Sequence, residues 1–62
     1  MNVLTNYNKM LKSLEDGLGD LEKFNSGNKS AGTRIRKNMQ EVKTLAQEVR
    51  VGVQQVKNAE LV

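Results

Sequence analysis

Apolar residues recur at alternating intervals of three and four residues along most of the chain. In the first half this spacing connects Leu4, Tyr7, Leu11, Leu14, Leu18 and Leu21. In the second half it connects Ile35, Met39, Val42, Ala46, Val49, Val53 and Val56, and Leu45 widens that stripe. Such a seven-residue repeat places each set on one side of an α-helix. The pattern therefore predicts two amphipathic helices, over about residues 4–24 and about residues 30–58.

A cluster of turn-forming residues separates the two predicted helices. Residues 25–30 read Asn-Ser-Gly-Asn-Lys-Ser, and Gly27 is placed to adopt the left-handed conformation that commonly ends a helix. Asn28 or Ser30 is expected to cap the next helix. Gly17 and Gly19 make the first helix prone to a kink or break, since each interior glycine costs about 1 kcal/mol relative to alanine.

The predicted fold is all-α, a single domain over residues 1–62 in which a turn at residues 25–29 joins two antiparallel helices in a coiled-coil-like hairpin. The second helix is about 12 Å longer than the first, so the first is too short to cover all of its apolar stripe. The apolar residues of this overhang and beyond are Val51, Val53, Val56, Leu61 and Val62.

A chain of 62 residues buries too little surface for a robust core of its own. The sequence has neither Cys nor His, which excludes disulfides and Cys- or His-bound metals as supports. We therefore expect self-association, most simply as a homodimeric four-helix assembly. The expected interface residues are Leu11, Leu14, Leu18, Leu21, Met39, Val42, Val49, Val53 and Val56.

Composition also narrows the class of function. Without His, Cys or Trp, the chain has no Ser-His, Cys-His or zinc-water chemistry, and we expect neither enzymatic activity nor a cofactor nor a small-molecule substrate. No apolar run reaches the 18 residues of a membrane span, and no targeting signal precedes Tyr7. These observations favour a cytoplasmic protein without a membrane association.

Charge is distributed unevenly along the chain. Ten Lys and Arg residues against seven Asp and Glu residues give a net charge of +3. Residues 1–24 hold three Lys against four acids, a balance of −1, whereas residues 25–62 hold seven Lys and Arg against three acids, a balance of +4. Lys29, Arg34, Arg36 and Lys37 lie at the start of the second helix without an intervening acid. Because a helix N-terminus is already partially positive, this cluster indicates an anion site of cations and unpaired backbone N–H groups. The alternative for Lys29, Arg34 and Lys37 is a basic turn that is only solvated.

Arg36, Lys43, Arg50 and Lys57 recur at intervals of seven along one edge of the second helix. In one interpretation, Arg36 pairs with Glu22 and Lys43 pairs with Glu15 across the hairpin. In the other, Arg36 and Lys43 are available to phosphate. Arg50 and Lys57 are available to phosphate in either interpretation, because no acid is expected opposite them. Two aromatic residues provide no stacking platform for unpaired bases, so duplex is the expected form of any nucleic acid bound.

The segment from Gly27 to Lys37, Gly-Asn-Lys-Ser-Ala-Gly-Thr-Arg-Ile-Arg-Lys, resembles the signature of the bacterial linker-histone-like proteins, which condense DNA in the nucleoid. The similarity extends more loosely over about residues 10–58. The resemblance implies DNA contact by Lys29, Arg34, Arg36 and Lys37, and more weakly by Lys43 and Arg50. The chain departs from the family in its last five residues, which are acidic and apolar where family members often carry a Lys-rich tail.

The leading hypothesis is therefore a small histone-like homodimer that binds and compacts duplex DNA without sequence preference, in the nucleoid of a bacterium or on the genome of a phage. Its expected phosphate contacts are Lys29, Arg34, Arg36, Lys37, Lys43, Arg50 and Lys57. A second hypothesis is a structural or scaffolding coiled-coil protein whose charges select protein partners.

Overall fold

The computed structural model describes residues 2–60 and contains two helices, α1 (Val3–Asn25) and α2 (Ser30–Glu60), with no strand among these residues. Val3 at the start of α1 lies against Gly52 near the end of α2, whereas Asp20 meets Arg34 near the turn. The helices are therefore antiparallel, and the predicted all-helical hairpin is confirmed. Its principal extents of 53 × 14 × 14 Å describe a rod. The apolar residues Leu61 and Val62 lie outside the described residues.

Local hydrogen bonds define the beginning and the end of α1. The Asn2 carboxamide oxygen accepts from the backbone N–H groups of Leu4 and Thr5, at 2.9 and 3.2 Å. At the other end, Gly27 has a φ of 108°, the left-handed conformation expected from the sequence. The backbone N–H of Asn28 then donates to the Lys23 carbonyl, and that of Gly27 to the Phe24 carbonyl, each at 3.0 Å. This pair of bonds is the Schellman motif, which satisfies carbonyls at the end of a helix.

The start of α2 differs from the expected side-chain cap. The Asn28 carboxamide oxygen accepts from the Ser30 hydroxyl at 2.7 Å, and no backbone N–H donates to either side chain. Instead, the backbone N–H of Ala31 donates to the Asn28 carbonyl and that of Gly32 to the Lys29 carbonyl. Backbone carbonyls of the turn thus take the place of the predicted cap, because the turn is tight enough to present them to the first turn of α2.

The contact between the helices uses small and polar residues of α1. The buried positions of α1 are Asn6, Ser13 and Gly17. The buried positions of α2 are Ala31, Leu45 and Gly52. By contrast, the stripe of leucines and Tyr7 on α1, which the apolar pattern directs toward α2, is 44–66 % exposed. The side of α1 that meets α2 is therefore not the side that periodicity predicts.

Gly17 explains why this side of α1 is used. A Cβ atom placed on Gly17 would lie 2.9 Å from Asn38 Cγ, closer than real Cβ atoms approach. Glycine thus leaves room for the Asn38 side chain against the backbone of α1, and the larger leucines are left outside the contact. The break that these glycines could cause does not occur, because α1 continues without interruption through both Gly17 and Gly19. Gly17 is a packing position of an unbroken helix.

The leucines of α1 share one side of the hairpin with apolar residues of α2. When two antiparallel helices pack side by side, the residue that directly follows each contact position points to the same side of the hairpin in both helices. Leu21 of α1 accordingly lines one depression together with Gly32, Ile35 and Arg36 of α2. We call this side the apolar face, and its members are Leu4, Tyr7, Leu11, Leu14, Leu18, Leu21, Met39, Ala46 and Val53. The opposite side is called the polar face.

Candidate nucleic-acid interface

Seven cations belong to α2 or to the turn before it, and all seven are exposed: Lys29, Arg34, Arg36, Lys37, Lys43, Arg50 and Lys57. The hairpin geometry divides most of them between its two sides. Arg34 and Lys37 belong to the polar face, whereas Arg36, Lys43, Arg50 and Lys57 follow the border of the apolar face. The sequence predicts one group of candidate contacts, and the structure separates it into two.

A shallow groove on the polar face brings cations of both helices together. Arg34 and Lys37 of α2 line it with Lys9 and Lys12 of α1. Its acidic residues are Asp16, Asp20 and Glu41. Lys9 and Lys12 are not among the contacts that the sequence predicts. Their proximity to Arg34 and Lys37 depends on which side of α1 meets α2, and the leucine spacing indicates the wrong side.

An ion pair connects the two helices within this groove. Arg34 Nε donates to Asp20 Oδ1 at 2.8 Å, and the two side chains are 48 % and 25 % exposed. At this exposure an ion pair contributes at most about 1 kcal/mol to stability. The bond uses one of the five N–H donors of the guanidinium. Arg34 therefore retains donors for phosphate, but a carboxylate already partly neutralises its charge.

The second group forms a regular row that we call the basic edge, Arg36, Lys43, Arg50 and Lys57. An interval of seven residues separates successive cations by about 10.5 Å along the helix. Neither Glu22–Arg36 nor Glu15–Lys43 forms an ion pair within the described hairpin. Both glutamates lie one position beyond the leucine stripe of α1, so the apolar face separates them from the basic edge.

The backbone at the start of α2 contributes less to an anion site than its sequence indicates. The N–H groups of Ala31 and Gly32 donate to carbonyls of the turn, and Ala31 has no exposed surface. These groups are not directed toward an incoming phosphate. The expectation that unpaired N–H groups surround an anion is therefore wrong for these two positions, and the side chains of Lys29, Arg34 and Lys37 remain as candidates.

No group of three or more acidic residues is arranged to hold a metal ion within the part of the chain that the structure describes. Neither α1 nor α2, as far as they are described, is long and apolar enough to cross a membrane.

A protein-family model described as Histone H1-like protein Hc1 matches residues 4–59, which include both helices and the turn. No curated protein and no solved structure matches the chain.

Proposed function

Because this chain belongs to the histone H1-like protein Hc1 family, we propose that it binds and compacts duplex DNA by contacting phosphates without regard to base sequence. Membership in a histone H1-like family indicates DNA binding and compaction. The proposal adds the form of the nucleic acid, the type of contact and the residues that make it, namely Lys29, Arg34, Arg36, Lys37, Lys43, Arg50 and Lys57.

The observation that carries this proposal is the exposure of all seven cations on and beside one long helix. The basic edge alone extends over 21 residues, or about 32 Å. This length is close to the pitch of about 34 Å of one duplex turn. A row of cations at regular spacing suits the repeating charge of a phosphate backbone, since each neutralised phosphate releases condensed counterions.

The aromatic residues of the hairpin favour duplex over single-stranded nucleic acid. Single-strand binding proteins stack bases on exposed aromatic rings. Here Tyr7 belongs to the apolar face, and the ring of Phe24 lies against Gly32 across the hairpin. The polar face and the basic edge, which carry the cations, therefore have no aromatic ring on which a base could stack. Binding of single strands would require an aromatic stacking surface that the hairpin does not have, whereas phosphate contact to a duplex requires only its exposed cations.

Self-association is part of the proposed mechanism, because compaction requires a particle that holds DNA at more than one place. The hairpin has an accessible surface of 5107 Å². A compact monomer of 6.9 kDa has about 4,000 Å², so the hairpin exposes about 1,100 Å² more. A homodimer that covers the apolar face doubles the number of cations per particle. We place this particle in the nucleoid, with no catalytic step and no cofactor.

Titration of a fluorescent random-sequence duplex of about 40 base pairs, at several salt concentrations, tests the proposal. Phosphate contact predicts that the logarithm of affinity falls linearly with the logarithm of salt concentration. Lys37→Gln reduces this slope by about 0.9 for each chain in the bound particle if Lys37 contacts a phosphate. Lys23→Gln, the same charge change on α1 outside the proposed set, leaves the slope unchanged. Absence of binding at low salt would refute the proposed function, and equal effects of the two changes would refute the assigned residues.

The exposed apolar face favours one alternative, a scaffolding coiled-coil protein that assembles with other proteins. Exposed apolar surface of this extent is typical of protein interaction sites. The association state without DNA distinguishes the two functions. A DNA-compacting protein forms a small closed oligomer across a range of salt concentrations, whereas a scaffold forms large or partner-dependent assemblies and does not bind the duplex.

A further inference from the structure

The apolar face is bordered by opposite charges on its two long edges. On α1, Glu15 and Glu22 directly follow Leu14 and Leu21 and form an acidic edge. On α2, the border is the basic edge that begins at Arg36. Across its width, this side of the hairpin is therefore acidic, then apolar, then basic.

The exposed area is sufficient for a stable contact with another chain. The hairpin exposes about 1,100 Å² more than a compact monomer of its mass. Each partner in a standard protein interface contributes about 800 Å². This excess belongs to the whole rod and is larger than the share of one partner, and the leucines of α1, which are 44–66 % exposed, provide an apolar centre for an interface.

The charged edges distinguish between two symmetric ways of pairing two hairpins through this face. A twofold axis parallel to the helices lays α1 of one copy over α2 of the other, which sets the acidic edge against the basic edge. A twofold axis in the interface but perpendicular to the helices lays α1 over α1, which sets acid against acid and cation against cation. Like charges placed opposite each other oppose association, so the first arrangement is favoured.

The register of the hairpin brings particular residues together in the first arrangement. Phe24 lies level with Gly32, and Val3 lies level with Gly52. By the same register, Glu22 and Arg36 are offset along the hairpin axis by at most about three residues, or about 4.5 Å. Glu15 stands in the same relation to Lys43. Long side chains span such an offset.

We propose that a second copy of this chain covers the apolar face about a twofold axis parallel to the helices, with Glu22 and Glu15 of each copy paired to Arg36 and Lys43 of the other. This inference rests on the proposed self-association and deepens it. The pairs that the sequence suggests within one hairpin then form between two hairpins. In this dimer, Glu22 and Glu15 partly neutralise Arg36 and Lys43, as Asp20 partly neutralises Arg34, so these cations keep donors for phosphate but bind it more weakly than the unpaired ones.

Charge reversal on one edge at a time tests the arrangement by sedimentation equilibrium without DNA at low salt. Glu15→Lys with Glu22→Lys makes both edges basic, and Arg36→Glu with Lys43→Glu makes both edges acidic. We expect each variant alone to dimerise at least about tenfold more weakly than the unaltered chain, because four surface ion pairs become repulsive. An equimolar mixture of the two variants restores dimerisation to the original affinity, since every pair is again of opposite sign. Asp16→Lys with Glu41→Lys, the same charge change on the polar face, is the matched control and keeps the original affinity.

Three outcomes would overturn the inference. Dimerisation that survives both charge reversals indicates the perpendicular axis, in which like charges already face each other. Weakening without rescue in the mixture indicates that the pairs act within one chain. Equal weakening by the control indicates an effect of net charge alone. The duplex titration is read separately, so loss of this arrangement is distinguishable from loss of DNA binding.

Discussion

Gly17 of α1 lies directly against the side chain of Asn38 on α2. Asn38 Nδ2 donates to the Ser13 carbonyl of α1 at 2.8 Å, and Asn38 Oδ1 is buried without a hydrogen-bond partner. This contact holds the polar side of α1 toward α2 and leaves the leucines of α1 on the outside. The location of the apolar face follows from it.

Alanine at the two glycines of α1 has opposite expected effects on stability. A Cβ at Gly19 meets nothing within 4 Å, so Gly19→Ala raises the free energy of unfolding by about 1 kcal/mol through helix propensity. Gly17→Ala forces Asn38 to rotate away from Ser13, and overpacking of this kind costs about 1–3 kcal/mol. Thermal unfolding followed by circular dichroism, at matched concentration, measures both. Stabilisation by both substitutions would contradict the close approach at Gly17.

The hydrogen bond of Asn38 predicts a large effect of an isosteric change. Asn38→Asp replaces the donating Nδ2 by a carboxylate oxygen that faces the Ser13 carbonyl in a partly buried position. We expect a loss of about 3 kcal/mol in the free energy of unfolding, since an unpaired buried charge is costly. Asn8→Asp, the same change at an exposed position of α1, provides the control and shifts stability by less than about 0.5 kcal/mol. Equal stability of the two variants in urea would show that Asn38 does not join the helices.

Asp20 is expected to limit how strongly Arg34 binds phosphate. Asp20→Asn removes the ion pair and releases the full charge of Arg34, so the salt dependence of duplex binding steepens by up to about 0.9 for each chain in the bound particle. Asp16→Asn is the matched control, because Asp16 lines the same groove without an ion pair. The difference between the two variants isolates the release of Arg34. Identical slopes for both would argue that Arg34 makes no phosphate contact.

Polar substitution on the apolar face is expected to weaken self-association. Leu11→Gln with Leu18→Gln removes two leucines that are 45 % and 56 % exposed in the hairpin. Sedimentation equilibrium then reports a loss of about tenfold or more in dimer affinity, because each buried leucine contributes about 1.5–3 kcal/mol. Val51→Gln changes an equally exposed residue away from this face and leaves the affinity unchanged. A dimer that tolerates the double change uses another surface.

The helices, the turn and the left-handed Gly27 were all predictable, because local propensity and seven-residue periodicity determine them. The side of α1 that meets α2 was not. Ser13 and Gly17 carry no apolar signal, and a stripe of leucines has the same spacing whether it covers its own hairpin or a second copy. The same ambiguity concealed the position of the candidate site. Asp20 and Arg34 are 14 residues apart in sequence, and their pairing depends on the register that the contact at Gly17 imposes.

Within residues 2–60 no large side chain is fully buried in the single hairpin, and Ala31 and Leu45 are its only buried apolar side chains. Such a hairpin has little buried apolar surface to stabilise it alone, so the proposed self-association would couple its folding to its assembly by mass action. We then expect a dilute population to contain more unfolded chains, which proteases can degrade, and a concentrated one to fold as it pairs. The proposed compaction of DNA would then begin only above a threshold abundance of the protein.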